Sequence, residues 1–225
     1  ILRCFSSTNQ LLGNQEIAQL TNLPKPTVAR ITSTLVSLGY LKQLPNTTKY
    51  LLDVGVLALG YAALSNISAR TQAYPFMEEM SRYSQAPVAM ATRDRLSMIY
   101  LEVVHTESTL TMRRPVGSTL PIHSSAMGRA CLAAMDVKER EYLFDAIKKR
   151  NEDQWPTIKR NLERAIRDYQ DYGYCLSLGD WAKDVNSVAV PLVHPKHGIL
   201  TFNCGAPSYL LNQEKLENEI GPRLI

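Results

Sequence analysis

Apolar residues near the start of the chain recur at three- and four-residue steps, which is the spacing of one helix face. This pattern predicts a short helix over 15–21, with Asn14 as its N-cap. The turn signal Asn22-Leu23-Pro24 separates it from a second predicted helix, over 25–38. A short helix, a tight turn and a longer helix in this order are typical of a helix-turn-helix.

The two faces of the second predicted helix differ in chemistry. Its apolar residues form one stripe that we expect to be buried: Val28, Ile31, Leu35 and Leu38. The opposite face holds two cations and otherwise short hydroxylated side chains: Lys25, Thr27, Arg30, Thr34 and Ser37. No acid occurs between Glu16 and Asp53. A helix that enters a phosphate-lined DNA groove needs such a surface, because acids are repelled there and small side chains allow close approach.

The period of the pattern changes to two after Gly39, which we expect to end the second helix. The runs 40–44 and 49–52 are predicted strands, and 45–48 is the turn between them. A two-stranded hairpin directly after a DNA-reading helix is a wing. We predict that Thr48 and Lys49 at its tip contact the DNA backbone.

Helical and strand-like patterns alternate in the rest of the chain. Helical spacing occurs over 53–65, 70–84, 124–135, 138–149, 154–172 and from 212 onward. Within 70–84, four side chains are candidates for packing: Tyr74, Phe76, Met77 and Met80. Strand-like runs occur at 88–92, 98–104, 110–114, 174–178, 187–193 and 199–203. Strands first, helices in the middle and strands last favour an α+β domain on an antiparallel sheet.

These patterns divide the chain into three predicted parts. They are a winged helix-turn-helix domain over 1–52, a linker helix over 53–69 and a larger domain over 70–225. The net charge of +4 lies entirely in the first part, where five basic side chains face the single acid Glu16. The 25 basic and 21 acidic residues of the whole chain leave 20 of each in the other two parts. Such asymmetry indicates that one end of the protein meets a polyanion.

Several classes of protein are disfavoured by the sequence. Four scattered cysteines form no C-x-x-C pair, which argues against a structural zinc site and a disulfide framework and favours a reducing cytoplasm. His194 and His197 lie close together before Gly198, and we interpret them as a hairpin turn rather than a metal site. No apolar run reaches the roughly 20 residues that span a bilayer, so we expect no membrane segment.

The one group of residues that resembles a catalytic set is His123 beside Ser124 and Ser125. It lacks the Gly-x-Ser-x-Gly elbow, and adjacent residues on a loop seldom point at each other. No phosphate-binding or dinucleotide-binding glycine motif is present. We therefore predict no catalytic residues, no metal and no cofactor. Two alternatives stay open: an enzyme, or an architectural dimerisation domain, fused to a DNA-binding module.

The whole chain resembles the IclR-type bacterial transcriptional regulators. The first domain does so through 15–31 (QEIAQLTNLPKPTVARI), 34–41 (TLVSLGYL) and 49–52 (KYLL). The larger domain does so through 121–133 (PIHSSAMGRACLA), Gly173-Tyr174, 187–192 (SVAVPL) and 204–208 (CGAPS). The family usually has serine or a similar residue where this chain has Pro26. The proline removes a backbone donor and a hydroxyl at a point expected to meet DNA.

The resemblance implies a fold and an effector site. The fold is α+β: an N-terminal winged helix-turn-helix domain joined by a helix to a larger GAF-like α/β effector domain with an antiparallel sheet. The family's effector site includes the loop that opens the helix at Ser125, Ala126 and Met127. Its other positions fall at four further residues: Ser177, often acidic, Ser187, often cysteine, and Phe202 and Cys204, both often serine. Relative to the family, this site loses an acid at Ser177 and gains an aromatic ring at Phe202. These differences predict a carboxylate effector with aromatic or branched apolar bulk.

Pattern and resemblance together predict a cytoplasmic, ligand-responsive transcriptional regulator, either a repressor or an activator. A homodimer or homotetramer would bind a palindromic operator in double-stranded DNA, with half-sites one helical turn or a multiple apart. An organic acid would alter that binding through the linker helix. The predicted DNA contacts are Lys25, Pro26, Thr27, Arg30, Thr34, Thr48 and Lys49.

Overall fold

The computed structural model describes residues 1–6, 10–105 and 114–225. These residues form two compact units, Ile1–Ile67 and Ser68–Ile225. The predicted linker over 53–69 contains a helix, α3 (Gly55–Ser65), that belongs to the first unit. The three-part division of the chain remains a prediction.

The first unit contains the predicted helix-turn-helix and hairpin. Its first two helices are α1 (Asn14–Thr21) and α2 (Lys25–Ser37). Its strands are β1 (Leu12–Gly13), β2 (Leu41–Gln43) and β3 (Lys49–Leu52), arranged as an antiparallel sheet in the order β1-β3-β2. Strand β1 was not predicted, because two residues are too few to show a period.

Three details of this unit correct the sequence predictions. The N-cap of α1 is Gly13 rather than Asn14, and the carboxylate of Glu16 accepts a hydrogen bond from the Gly13 amide at 2.6 Å. On α2, Thr32 is fully buried, whereas Leu38 is 59% exposed. The burial of Thr32 is tolerated because its hydroxyl lies 2.9 Å from Asn14 Oδ1 and 3.0 Å from the Val28 carbonyl.

Gly39 ends α2 as predicted. Its φ is +71°, in the left-handed region that favours glycine. The Gly39 amide donates to the Val36 carbonyl at 3.0 Å, and the Tyr40 amide donates to the Leu35 carbonyl at 2.9 Å. These two bonds make a Schellman motif, which directs the chain into the hairpin.

The second unit is built on a six-stranded antiparallel sheet in the order β6-β5-β4-β9-β8-β7. Its strands are β4 (Val88–Asp94), β5 (Ser97–Val104), β6 (Thr119–Pro121), β7 (Cys175–Leu178), β8 (Val185–His194) and β9 (Gly198–Pro207). Its longer helices are α4 (Ala69–Ser84), α5 (Ala126–Ala133), α6 (Val137–Arg150) and α7 (Trp155–Tyr172). The C-terminal segment consists of α8 (Gln213–Lys215), a π-helical turn (Leu216–Ile220) and α9 (Gly221–Leu224). This is the predicted α+β architecture.

The sheet has two covered faces. Helices α5, α6 and α7 pack with Ala89, Ala91 and Ala189 of one face in the main core. Helix α4 contacts β4 and β5, and its Met77 and Met80 are buried.

Some element predictions need correction and others hold. Tyr74 and Phe76 of α4 are exposed rather than packed. Strand β6 was not predicted, and residues 110–113 of the predicted strand 110–114 lie outside the described residues. The turn at His194 and His197 is confirmed: it joins β8 to β9, and His194 Nδ1 accepts from the amides of Lys196 and His197. None of the described helices is long and apolar enough to span a membrane.

Candidate functional site

The outward face of α2 is exposed, as the sequence predicts. Lys25, Arg30 and Thr34 are exposed, and Thr27 is half-buried. The Arg30 guanidinium makes no hydrogen bond or ion pair with the residues that the structure describes, and Lys25 Nζ reaches only Gln15 Oε1, at 3.5 Å. The surface therefore presents cations and hydroxyls without a competing acid.

Pro24 and Pro26 shape the start of α2 without breaking it. Pro24 is the N-cap, and Pro26 is the second residue of the helix. The amides missing from prolines at these positions would have no partner inside the helix. Pro26 is exposed on the same surface as Arg30.

The hairpin of β2 and β3 carries the other two predicted DNA-contacting residues. Thr48 is exposed in the turn. Lys49, however, is the first residue of β3 rather than part of the tip, and its ammonium forms an ion pair with the Glu16 carboxylate. That ion pair and the bond from the Gly13 amide hold the pKa of Glu16 below its ordinary value. Glu16, the single acid of residues 1–52, thus neutralises one of the cations of that region.

A second candidate site is a cavity of about 50 Å³ on the α5 face of the sheet. Its polar wall includes Ser125, Ser187 and Asn203. Its apolar and aromatic wall includes Tyr100, Val103, Leu120 and Trp181. Burial raises the pKa of Tyr100 to about 12, an effect that the charge of Arg114 opposes. A water needs roughly 10–15 Å³ in this measure, so the cavity accommodates a few atoms of a ligand without rearrangement.

The loop before α5 contributes less to the cavity than predicted. Ser125 lines it and caps the helix: its hydroxyl accepts from the Gly128 amide at 3.2 Å and donates to the Pro121 carbonyl at 2.7 Å. The side chains of Ala126 and Met127 are buried in the main core instead. Ser125 is therefore the one of these three whose side chain reaches the cavity.

The sheet residues predicted for the site divide between the two faces. Ser187 lines the cavity, and Ser177, its cross-strand neighbour, is buried and donates to the Ser124 carbonyl at 2.8 Å. Phe202 and Cys204 lie on the other face, since Phe202 lines a groove beside α4 and Cys204 pairs with Val88 of that face. These two residues therefore do not line this cavity, and their role in an effector site stays a prediction.

The cavity is instead lined by Asn203 and Gly205, each one position further along β9. Side chains alternate between the faces of a strand, so an error of one position transfers a residue to the opposite face. Asn203 pairs with Ala89 of β4, and Gly205 pairs with Ser187 of β8. Because cross-strand pairs share a face, these pairings identify the residues of β9 that face the cavity.

A bulge in β5 also shapes the cavity. Met90 pairs with Glu102 and Ala91 with Tyr100, so one residue of β5 is unpaired. The shift lets Tyr100 and Val103 face the same cavity although they are three residues apart. It leaves Glu102 to form an ion pair with Arg70 of α4, at 2.7 Å. Period-two reasoning could not find this arrangement.

Beside the cavity, a buried arginine joins three segments of the chain. The Arg129 guanidinium donates to the Leu176 carbonyl at 2.7 Å and to Asp180 Oδ2 at 2.8 Å. Asp180 directly precedes Trp181, so Arg129 anchors one wall of the cavity. His123 lies near Arg129, and burial together with that charge lowers the pKa of the imidazole. The buried thiols have raised pKa values, about 12 for Cys131, which makes them poor nucleophiles.

Comparisons with known proteins place both units in one family. The C-terminal model for the bacterial transcriptional regulator IclR matches residues 61–224, and the IclR helix-turn-helix domain matches residues 1–45. The regulator TsaQ1/TsaQ2 of Comamonas testosteroni is 37% identical, over 100% of this chain and 81% of its own length. The regulator KdgR of Escherichia coli is 25% identical, over 93% of this chain and 80% of its own length.

Solved structures of proteins with the same fold lead to the same family. The crystal structure of an IclR family transcriptional regulator from Brucella abortus is 59% identical, with a TM-score of 0.96 over 99% of this chain and 84% of that one. An IclR homologue from Microbacterium hydrocarbonoxydans, solved in complex with 4-hydroxybenzoate, shares the fold. It has a TM-score of 0.68 over 99% of this chain and 93% of its own, at 19% identity.

Proposed function

This chain belongs to the IclR family of bacterial transcriptional regulators, and from that premise we propose how it binds DNA and a ligand. The exposed face of α2 enters the major groove of an operator, and the β2–β3 hairpin contacts the adjacent backbone. An organic acid in the cavity of the second unit controls this binding. The protein acts in the cytoplasm, where bacterial DNA lies.

The DNA-binding proposal rests on the exposed face of α2, where the cations have no acidic partner among the described residues. Arg30 is exposed and makes no ion pair with the described residues, and no acid lies on that helix. Arginine forms bidentate hydrogen bonds with guanine in the major groove, each contributing about 1–3 kcal/mol of discrimination. Thr27 and Thr34 flank Arg30 and leave room for close approach.

Fluorescence anisotropy with a labelled operator, selected from random duplexes, tests this surface. Arg30→Ala should weaken specific binding by about five- to 150-fold, which corresponds to 1–3 kcal/mol, and should relax the preference at one base pair. Arg82→Ala, which removes an exposed arginine of the second unit, is the matched control and should leave affinity unchanged. If Arg30→Ala binds the operator with wild-type affinity, α2 is not the helix that contacts the bases.

Lys49 requires a different experiment because Glu16 already neutralises it. Lys49→Ala should weaken binding to all sequences alike and flatten the salt dependence by about one unit or less. Glu16→Gln removes the competing acid and should strengthen non-specific binding. If Glu16→Gln weakens it, Lys49 reaches the phosphates only while Glu16 holds it in place.

Helix α3 supports a homo-oligomer. It carries no charged residue and buries none of its side chains among the described residues. Val54, Leu57 and Tyr61, spaced as one helix face, are 80%, 73% and 70% exposed. A helix that is apolar all round is normally buried, and a second copy of this helix is a self-complementary partner. Two copies would present two α2 helices to half-sites about 34–36 Å apart.

Sedimentation velocity at a series of concentrations tests the role of α3. Leu57→Lys should raise the dissociation constant of the dimer by at least tenfold, because a charge would be buried in the interface. Tyr142→Lys changes a side chain of matching exposure, 74%, on α6 and should not affect it. Unchanged self-association of Leu57→Lys would exclude α3 from the interface.

The effector proposal rests on the cavity beside α5. It combines apolar walls with a few polar groups, as small-molecule sites do. The homologue bound to 4-hydroxybenzoate supports an aromatic acid, and Tyr100 and Trp181 supply aromatic rings that could contact it in this cavity. In a thermal shift screen of carboxylates, a compound that binds should raise the melting temperature of the second unit and should not be consumed. Turnover of the compound would favour the enzyme alternative, and no response would favour an architectural domain.

A further inference from the structure

One contact at the cavity is not explained by packing alone. The guanidinium carbon of Arg114 lies 4.6 Å from the ring centroid of Trp181, and both side chains line the cavity. Arg114 precedes β6, whereas Trp181 lies in the connection between β7 and β8. Two distant segments therefore meet over the cavity in a cation–π contact.

The charge of Arg114 lacks a counter-ion within the described chain. Five other arginines there pair with acids: Arg70, Arg82, Arg93, Arg129 and Arg223. Arg114 has one hydrogen bond instead, from Nη1 to the Thr119 carbonyl at 3.3 Å. Stacking uses the face of a guanidinium and leaves its edge donors available, and a guanidinium has five N–H groups.

The positive potential of Arg114 extends into the cavity. Its charge acts on the buried Tyr100 hydroxyl, which also lines the cavity, and opposes the effect of burial on the pKa of that group. The other polar groups that line the cavity are the hydroxyls of Tyr100, Ser125 and Ser187, the Asn203 amide and the His105 imidazole. The hydroxyls and the amide are neutral. They can bond to carboxylates, amides and alcohols alike, so they do not discriminate by charge.

We propose that Arg114, held in place by Trp181, is the residue that selects anionic ligands over neutral ones of the same shape. This inference rests on the proposed effector function of the cavity. Arg114 pairs with the carboxylate or other acidic group of an organic anion, and the neutral polar groups orient the remainder. Since the cavity is only about 50 Å³ and Trp181 lines it, a bound ring lies against the Trp181 indole, so binding alters tryptophan fluorescence.

Isothermal titration tests the selectivity with matched pairs of probes. Benzoate, 4-hydroxybenzoate, phenylacetate and pyruvate are each compared with the corresponding amide. For the wild type, at least one acid should bind at least tenfold more tightly than its amide. Arg114→Gln should abolish that preference by weakening the acid while leaving the amide unchanged, and Arg114→Lys should retain part of it.

Arg93→Gln is the control, since Arg93 belongs to the same unit but pairs with Glu139 outside the cavity. It should keep the full preference for the acid. Tryptophan fluorescence should change on binding in the wild type, and Trp181→Phe should remove most of that change.

Two results would overturn the assignment of Arg114. One is equal affinity of the wild type for every acid and its amide, or binding of none of them. The other is an undiminished preference for the acid over the amide in an Arg114→Gln variant whose melting temperature equals that of the wild type. Operator binding is measured on the same samples, so a protein that binds DNA but shows no preference for anions refutes this inference and leaves the regulator function standing.

Discussion

The buried ion pair between Arg129 and Asp180 should be a large local contribution to the stability of the second unit. The Arg129 side chain is 2% exposed and that of Asp180 is 24% exposed. Removing one partner of a buried pair costs about 3–5 kcal/mol, because the other charge is left without compensation. Water can partly replace the Asp180 carboxylate, so we expect Asp180→Ala to lower the free energy of unfolding by about 3 kcal/mol, the low end of that range.

Urea unfolding followed by tryptophan fluorescence measures this effect. Trp155 and Trp181, the two tryptophans of the chain, both lie in the second unit, so the signal reports that unit alone. With a slope of about 2 kcal/mol per M, a loss of about 3 kcal/mol lowers the midpoint by about 1.5 M urea. Glu139→Gln, which breaks the more exposed pair with Arg93, is the control and should cost less than about 1 kcal/mol.

A double-mutant cycle separates the charge effect from simple loss of contacts. In an Arg129→Met background the buried cation that pairs with Asp180 is gone, so Asp180→Ala should then cost less than about 1 kcal/mol. If Asp180→Ala costs as much in that background as in the wild type, the pairing of charges is not the cause. A cost below 1 kcal/mol in the wild type would refute the reasoning from burial.

Two further predictions concern stability. A Cβ on Gly128 would lie 2.0 Å from the Ile122 carbonyl oxygen, a backbone atom that cannot yield easily, so Gly128→Ala should cost about 3 kcal/mol or more in urea unfolding. Gly60→Ala on α3, where nothing lies within 4 Å, should instead stabilise the first unit by about 0.5–1 kcal/mol. Hydrogen exchange of residues 1–67 measures this effect, since both tryptophans lie in the second unit, and an equal loss of stability at both sites would contradict the close approach. Because the folded-state pKa of Glu16 is below its ordinary value of 4.5, its stabilisation of the first unit is present above about pH 4.5 and is lost as the pH falls further. Hydrogen exchange of residues 1–67 at a series of pH values should show this loss, and a Glu16→Gln variant with the same pH dependence would assign it to another group.

Local patterns were sufficient for most of the first unit. The three- and four-residue spacing located α1 and α2, and Gly39 marked the end of α2, since each depends on neighbours along the chain. The choice of buried residues on α2 was less accurate. Thr32 replaces Leu38 in the core because Asn14 and the Val28 carbonyl satisfy its hydroxyl, and hydrophobicity alone does not contain that information.

Which residues line the candidate cavity depends more on strand register than on residue type. Ser125 and Ser187, which the resemblance assigns to the effector site, line this cavity. Phe202 and Cys204 are offset by one position on β9 from the lining residues Asn203 and Gly205. On a strand such a slip reverses the face, and only the pairing of β9 with β4 and β8 resolves it.

The sequence by itself determined the order of the longer elements, the acid-free face of α2 and the family, because these are properties of residues near one another or of linear motifs. The tertiary structure alone decided that Lys49 is paired with Glu16, that Arg114 stacks on Trp181 and that Arg129 is buried against Asp180. In each case the partners are more than thirty residues apart, and no local rule links their side chains. Such contacts arise only when folding brings distant segments together, and they decide which of these charges are paired within the chain.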